Sequence, residues 1–332
     1  METAELRPLS LGELLDRTFT LYRTHFWVFV GIMVIPSAFG IPVNYLALSA
    51  EGNMFRNAGP PFGAGAPAPP PMGQIFGILA GVFAFWIVLM VVYSIAVAAA
   101  TRAVSETYLG RAATVRDSYR SVGRKFWRLI GIDLNLLVRV IGIFILVFFA
   151  FGLVIAALGA ATTVLGNQEA IAVVMGILVI LLYISALIGV LYLALRYALT
   201  VPALMLEDLG TFASIRRSIQ LTRGRRGHIF IAFLLAMVIY YVGFILFQAP
   251  FFISTMISMM KSHGIPAWLA LSSAVAGAMG GSITGPVLMI MIVLCYYDTR
   301  IRKEAFDLQF MMQSLDRAAA PQAASPGSVP SA

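Results

Sequence analysis

The stretch Thr101-Arg102-Ala103-Val104-Ser105-Glu106-Thr107-Tyr108-Leu109-Gly110-Arg111-Ala112-Ala113-Thr114-Val115-Arg116-Asp117-Ser118-Tyr119-Arg120-Ser121-Val122-Gly123-Arg124-Lys125-Phe126-Trp127-Arg128 carries seven Arg or Lys residues. It separates two apolar runs, near 74–100 and 138–160, each long enough to cross a hydrocarbon core, which takes about 20 helical residues. Further apolar runs lie near 28–50, 170–195, 229–260 and 267–297. Basic residues number three in 1–27, six in 196–228 and four in 299–332, whereas 51–73 holds only Arg56, 161–169 none and 261–266 only Lys261. Arg139 is the single basic residue within a run. Positively charged loops stay on the cytoplasmic side of a membrane. The alternation therefore predicts an all-α polytopic protein of six spanning helices in the cytoplasmic membrane, with both termini inside.

Composition agrees with that reading. Sixty per cent of the residues are hydrophobic and 11% charged, far from a soluble balance. The net charge of +8 gathers on one side of the membrane rather than over a nucleic-acid-binding surface. Anionic lipid head groups on that side are the expected partners, each Lys or Arg contributing about 1 kcal/mol, alongside membrane proteins. Cys295 is the single cysteine, which rules out an internal disulfide. The first 25 residues lack the short apolar core of a cleaved signal, so the first spanning helix is expected to direct its own insertion.

Shifted by 100 residues, the chain aligns with itself. Leu109-Gly110-Arg111-Ala112-Ala113-Thr114-Val115-Arg116-Asp117-Ser118-Tyr119 lies over Leu209-Gly210-Thr211-Phe212-Ala213-Ser214-Ile215-Arg216-Arg217-Ser218-Ile219, and Phe26-Trp27 lies over Phe126-Trp127. This predicts three parallel repeats, approximately 9–108, 109–208 and 209–308, each an amphipathic helix followed by a spanning hairpin. In the first, Leu11, Leu14, Leu15, Thr18, Phe19, Tyr22 and Phe26 recur at steps of three and four, forming one apolar face. Ser10 with Glu13 is a capping-box pattern. Thr114 with Asp117 repeats it, and Ser214 with Arg217 lacks the acid. These helices suit either the membrane interface or the underside of the bundle. Residues 1–316 form the membrane domain, and 317–332, rich in Ala, Pro and Ser, read as a disordered tail.

Small residues recur every four positions at Gly73, Gly77 and Gly81 of the second spanning run and at Gly277, Gly281 and Gly285 of the sixth. Such ladders let helix backbones touch where lipid removes the hydrophobic driving force, so they predict packing of helices two and six. Pro36 and Pro42, Pro250 and Pro286 break helices one, five and six. Asp133, Asn135, Arg139 and Arg196 form a candidate intramembrane polar cluster near the basic side, with Asp133 and Arg196 as a plausible interhelical pair. No catalytic, cofactor or metal site is expected: His25, His228 and His263 are scattered, and phosphate-loop and dinucleotide fingerprints are absent.

The opening Leu6-Arg7-Pro8-Leu9-Ser10-Leu11-Gly12-Glu13-Leu14-Leu15-Asp16-Arg17-Thr18-Phe19 resembles the start of a bacterial membrane-domain family. Ser105-Glu106-Thr107-Tyr108-Leu109-Gly110 and Tyr296-Tyr297-Asp298-Thr299-Arg300-Ile301-Arg302-Lys303-Glu304-Ala305-Phe306-Asp307-Leu308 share the resemblance. It is the domain fused to some glycerophosphoryl diester phosphodiesterases and also found alone. The resemblance implies a membrane domain without the separate catalytic barrel, whose acidic metal ligands and histidine pair have no counterpart here. The resulting expectation is a non-enzymatic scaffold or accessory module. The alternative is a small-molecule or lipid transporter using kinked helices one, five and six. For topology, a reporter fused after Ser314 should be active only in the cytoplasm and one inserted at Ala64 only outside; activity of the Ala64 fusion inside the cell would sink the topology.

Overall fold

Brief polar breaks set where the long helices begin. In the computed structural model, which describes residues 9–58, 72–165, 168–261 and 265–304, α1 (Leu11–Thr24) ends at His25 and α2 (Phe26–Ala58) follows at once. The next pair is α3 (Met72–Tyr108) and α4 (Val115–Gly123), joined through Gly110 at φ 74°, where the backbone needs the left-handed region. The Arg111 N–H reaches back to the Glu106 carbonyl at 2.8 Å, closing the helix end as a Schellman motif does. Then come α5 (Phe126–Leu165), α6 (Gln168–Tyr197), the short α7 (Thr200–Glu207) and α8 (Thr211–Thr222). Gly224, at φ 83°, turns the chain into α9 (Arg226–Met260), and α10 (Ala267–Glu304) follows. Six of these helices, α2, α3, α5, α6, α9 and α10, are long and apolar enough to cross a membrane.

The succession of one short helix and two long ones occurs three times among the described residues, with α7 inserted before the third. Positions 100 residues apart share their burial: Phe29, Leu129 and Ile229 are buried, as are Ile32, Ile132 and Ala232, and Thr18, Ser118 and Ser218. The short helices lie against the bundle. Their buried faces combine small hydroxyl residues with aliphatic ones, and Trp27 and Trp127 stay 81% and 80% exposed beside them. Ser10 and Glu13 cap α1 reciprocally, as its sequence predicts. At α4 the Asp117 carboxylate instead accepts from the Thr114 hydroxyl at 2.6 Å. For α8 the N-cap is Gly210 rather than Ser214, whose hydroxyl bonds back to the Gly210 carbonyl within the helix.

The short helices α4 and α8 rest on the pair of long helices that precedes each, α1 rests on the last pair, and α7 packs on α3 and α8. Val115 of α4 packs 2.9 Å from where a Cβ on Gly31 of α2 would stand. Thr211 of α8 occupies the matching place over Gly131 of α5 and donates to the Arg128 carbonyl at 2.9 Å. For α1 the support is α10: the Tyr22 hydroxyl donates to the Ile283 carbonyl at 2.5 Å, and the Leu9 N–H to Asp298 at 2.8 Å.

The helix α10 is the axis of the molecule. Of its most apolar window 72% is buried, whereas none of the corresponding windows of α5 and α6 is. Its small residues allow that centrality, but their partners differ from the expected pairing. A Cβ on Gly285 would lie 2.6 Å from Met33 of α2, Gly281 faces Ser37 of α2 at 3.5 Å, and Gly277 faces Gln248 of α9 at 3.4 Å. Gly73, Gly77 and Gly81 of α3 are exposed and, among the described residues, meet no heavy atom within 4 Å. The helices two and six of the sequence reading thus do not meet through these ladders; α10 uses its own against α2 and α9. A ladder of small residues permits close approach on whichever face the neighbouring helix happens to lie, and does not name that neighbour.

Proline raises a backbone question of its own. Pro36 removes the N–H that would bond the Ile32 carbonyl, and lipid offers that carbonyl no replacement. The Tyr119 hydroxyl of α4 donates to the Ile32 carbonyl at 2.7 Å. Burial pushes the Tyr119 phenol up to about 12, which keeps it protonated as a donor. Tyr119→Phe should therefore lower stability by about 1 kcal/mol, and by clearly less on a Pro36→Ala background, where the helix recovers its own N–H. Denaturant or thermal unfolding of the four proteins in one detergent measures the coupling, and strictly additive losses would refute it.

Candidate functional site at the basic end of the bundle

The polar residues singled out in the sequence separate into distinct groups. Asn135 of α5 accepts from Arg139 Nε at 3.1 Å and from the Tyr197 hydroxyl of α6 at 2.8 Å, and Arg139 lies over the Tyr197 ring at 5.3 Å. Asp133 is buried on the other side of α5, where its polar neighbour is Ser94 of α3. Two residues along a helix are about 200° apart, so Asp133 and Asn135 cannot share a face. Arg196 turns to Tyr192, 5.8 Å from the ring centre, and forms no pair with Asp133. Asp133 and its neighbours also sit deeper in their helix than the apolar run suggests, because α5 begins at Phe126 rather than near 138.

The densest chemistry lies where α1, α7, α8 and α10 converge. Glu207, the last residue of α7, accepts from Arg217 Nε of α8 at 3.0 and 2.9 Å and from the Tyr296 hydroxyl of α10 at 2.5 Å. Arg217 also pairs with Glu304, and Arg300 reaches Glu304 at 3.2 Å and Glu207 at 3.6 Å. Burial works against the charge of Arg217, yet the hydrogen bonds and charges of Glu207 and Glu304 prevail and hold its guanidinium above its ordinary value.

One helical step away, Asp298 is 1% exposed. A single oxygen, Oδ1, accepts both the Leu9 N–H at 2.8 Å and Arg302 Nε at 2.9 Å, while Arg302 Nη2 donates to the Leu9 carbonyl at 2.6 Å. Its other oxygen lies 3.9 Å from Arg225 and 3.7 Å from His228. A buried carboxylate needs such compensation, since desolvating an unpaired charge costs several kcal/mol. A third group joins α1 to α3 and α10: Arg17 donates to the Tyr108 hydroxyl at 2.8 Å, Tyr108 stacks on Tyr297 at 5.4 Å, and the Tyr297 hydroxyl donates to Ser105 at 3.0 Å.

Lysines close two helix ends nearby. Lys125 Nζ donates to the Leu204 and Met205 carbonyls at the end of α7, and Lys303 Nζ to the Gln220 and Arg223 carbonyls at the end of α8. Cations suit these positions because the last carbonyls of a helix are unbonded and carry its negative dipole end. The hydrogen bond and charge of Lys125, with Arg128 behind it, hold the exposed Asp208 carboxyl below its ordinary value. Between α3 and α4 lies a polar hollow of about 330 Å³ lined by Arg102, Glu106, Thr114, Asp117, Arg120 and Arg124. Glu106 pairs there with Arg102 at 2.5 Å. Among the described residues no three of His, Cys, Asp and Glu gather as metal ligands.

Periodicity alone does not reveal Glu207, Arg217, Arg225 and His228 as parts of these networks. The signal that was present is the run Tyr296-Tyr297-Asp298, with aromatic hydroxyls and an acid at the end of an apolar span.

The chain is thus a polytopic helical membrane protein whose charges gather at one end. Residues 171–314 match the family described as "Membrane domain of glycerophosphoryl diester phosphodiesterase". The matched stretch runs from the start of α6 through α10. No curated protein and no solved structure matches the chain. Asp298→Asn, which leaves Arg302 and Arg225 without their buried counter-charge, should cost about 3–5 kcal/mol and free residues near Leu9 to proteolysis. Asp16→Asn, on the exposed face of α1, should change little. A thermal melt and limited proteolysis of both variants check this, and equal behaviour would refute the closing role of Asp298.

Proposed function

We propose that the chain is a non-enzymatic membrane module, a scaffold or accessory protein of the cytoplasmic membrane. It is built of three parallel units, with its basic end and both termini in the cytoplasm. One observation carries this reading over transport: the proline-bearing helices α2, α9 and α10 fill the space between one another. Met33 of α2 abuts Gly285, Thr284 sits 2.5 Å from where a Cβ on Gly243 of α9 would stand, and Phe247 Cβ lies 3.1 Å from the corresponding place on Gly280. Gln248 of α9 donates to Ser273 of α10 at 2.7 Å, a polar bond that ties these two helices together. At the basic end Glu207, Arg217, Asp298, Arg302 and Glu304 are likewise engaged in joining α7, α8, α10 and the segment that leads into α1. The family match is to a membrane domain, which agrees with a chain that does no hydrolysis itself.

Proteoliposomes carrying the purified chain test the proposal. Hydrolysis of glycerophosphodiesters and flux of solutes or labelled lipids should both stay at the level of empty vesicles. Saturable flux that disappears on Gly243→Leu would establish the transport reading instead, and saturable hydrolysis would make the chain an enzyme.

A further inference from the structure

Two arginines meet at the lipid-facing junction of α6 and α9 with no acid of their own. Arg196, one residue before the end of α6, lies 5.8 Å from the centre of the Tyr192 ring, and Arg226, the first residue of α9, lies 5.0 Å from it. Arg196 Nη1 reaches the Tyr192 hydroxyl only at 3.5 Å. The Nε atoms of both arginines are buried without a hydrogen-bond partner. No carboxylate among the described residues pairs with either guanidinium, whereas Arg102, Lys125, Arg128, Arg217, Arg300 and Arg302 each pair with Glu106, Glu207, Asp208, Asp298 or Glu304. Placing two like charges around one ring beside lipid is unfavourable unless an anion joins them.

The 100-residue register sharpens the point. Arg226 stands where Phe26 and Phe126 stand in the other two units, Tyr192 where Val92 stands, and Arg196 where the buried Ala96 stands. The first unit places only apolar residues at these positions, so the architecture of a unit does not by itself demand the arginines. The Ser218 hydroxyl of α8 donates to the Arg196 carbonyl at 2.8 Å and fixes the end of α6 that presents the guanidinium. Both arginines lie at helix ends on the basic side, the depth of lipid phosphates, and Tyr192 lies about one turn deeper than Arg196, where tyrosine commonly sits in membrane proteins.

We propose that Arg196 and Arg226, with Tyr192 between them, bind the phosphate of an anionic phospholipid head group in the leaflet at the basic end. Guanidinium forks match phosphate oxygens in pairs. The leaflet rests on the orientation proposed above, which the Ala64 reporter checks separately; the site itself stands whether or not the chain transports or hydrolyses anything. The test uses the full chain in neutral detergent, with phosphatidylglycerol, phosphatidylcholine or inorganic phosphate added, read by native mass spectrometry and by the shift in melting temperature. Wild type should retain phosphatidylglycerol in preference to phosphatidylcholine. The pair Arg196→Gln with Arg226→Gln should weaken that binding on the order of tenfold, and Arg196→Lys with Arg226→Lys should keep most of it. Should the glutamine pair fail to fold, Arg196→Ala with Arg226→Phe places the apolar residues of the first unit there and serves in its stead. A folded variant that holds phosphatidylglycerol as wild type does would overturn the site. Equal stabilisation by inorganic phosphate, with no preference among lipids, would overturn the assignment to a lipid.

Discussion

The close approach of α2 and α9 to the small-residue seam of α10 is the contact on which the rest of the molecule depends. In lipid, apolar side chains gain nothing by leaving the solvent, so helices associate through backbone proximity and a few polar bonds. Gly277, Gly280, Gly281 and Gly285 supply the proximity, and the Gln248 to Ser273 bond adds to it across the same seam. With α10 held between two neighbours, its basic end is carried into the middle of the molecule, where Tyr296 reaches α7, Tyr297 α3, Glu304 α8 and Asp298 the segment that leads into α1. A helix at the periphery could not have served four partners.

The short helices complete the arrangement by a different means. They place hydroxyls against the bundle, and two of them address carbonyls in the turns that proline disturbs. Tyr119 covers the carbonyl that Pro36 leaves unbonded, and Tyr22 bonds Ile283, within the turn that precedes Pro286. A proline in a spanning helix thereby becomes a point of attachment for a helix that does not span. This accounts for why α1 and α4 lie under the bundle while the Trp27 and Trp127 rings remain outside it.

The six spans are legible in the residues themselves, because span length depends on composition. The apolar face of α1 and its Ser10 and Glu13 cap are local features and can be read locally. What could not be read depends on rotation and neighbourhood. The spacing of Gly73, Gly77 and Gly81 looks identical to that of Gly277, Gly281 and Gly285, yet only the second set faces other helices. Asp133, Asn135, Arg139 and Arg196 are close in depth, but their directions around α5 and α6 scatter them into separate groups. Glu207 was hidden because α7, eight residues lying between a span and a short helix, carries no periodic signal of its own. The Tyr192, Arg196 and Arg226 group was visible only as a departure from the 100-residue register, and becomes meaningful once α6 and α9 are seen to meet.

The bond between Leu9 and Asp298 joins residues 289 apart in sequence. During synthesis the N-terminal segment emerges first and α10 last, so α1 must wait through the insertion of five spanning helices before its permanent neighbour exists. Until then α1 has only its smaller contacts with α2 and α3, and the interface of the bilayer is the natural holding position for an amphipathic helix. Closing the circle is therefore the final act of assembly. A chain arrested at any earlier length would display an uncovered first helix, a built-in mark by which quality control could distinguish unfinished molecules from finished ones.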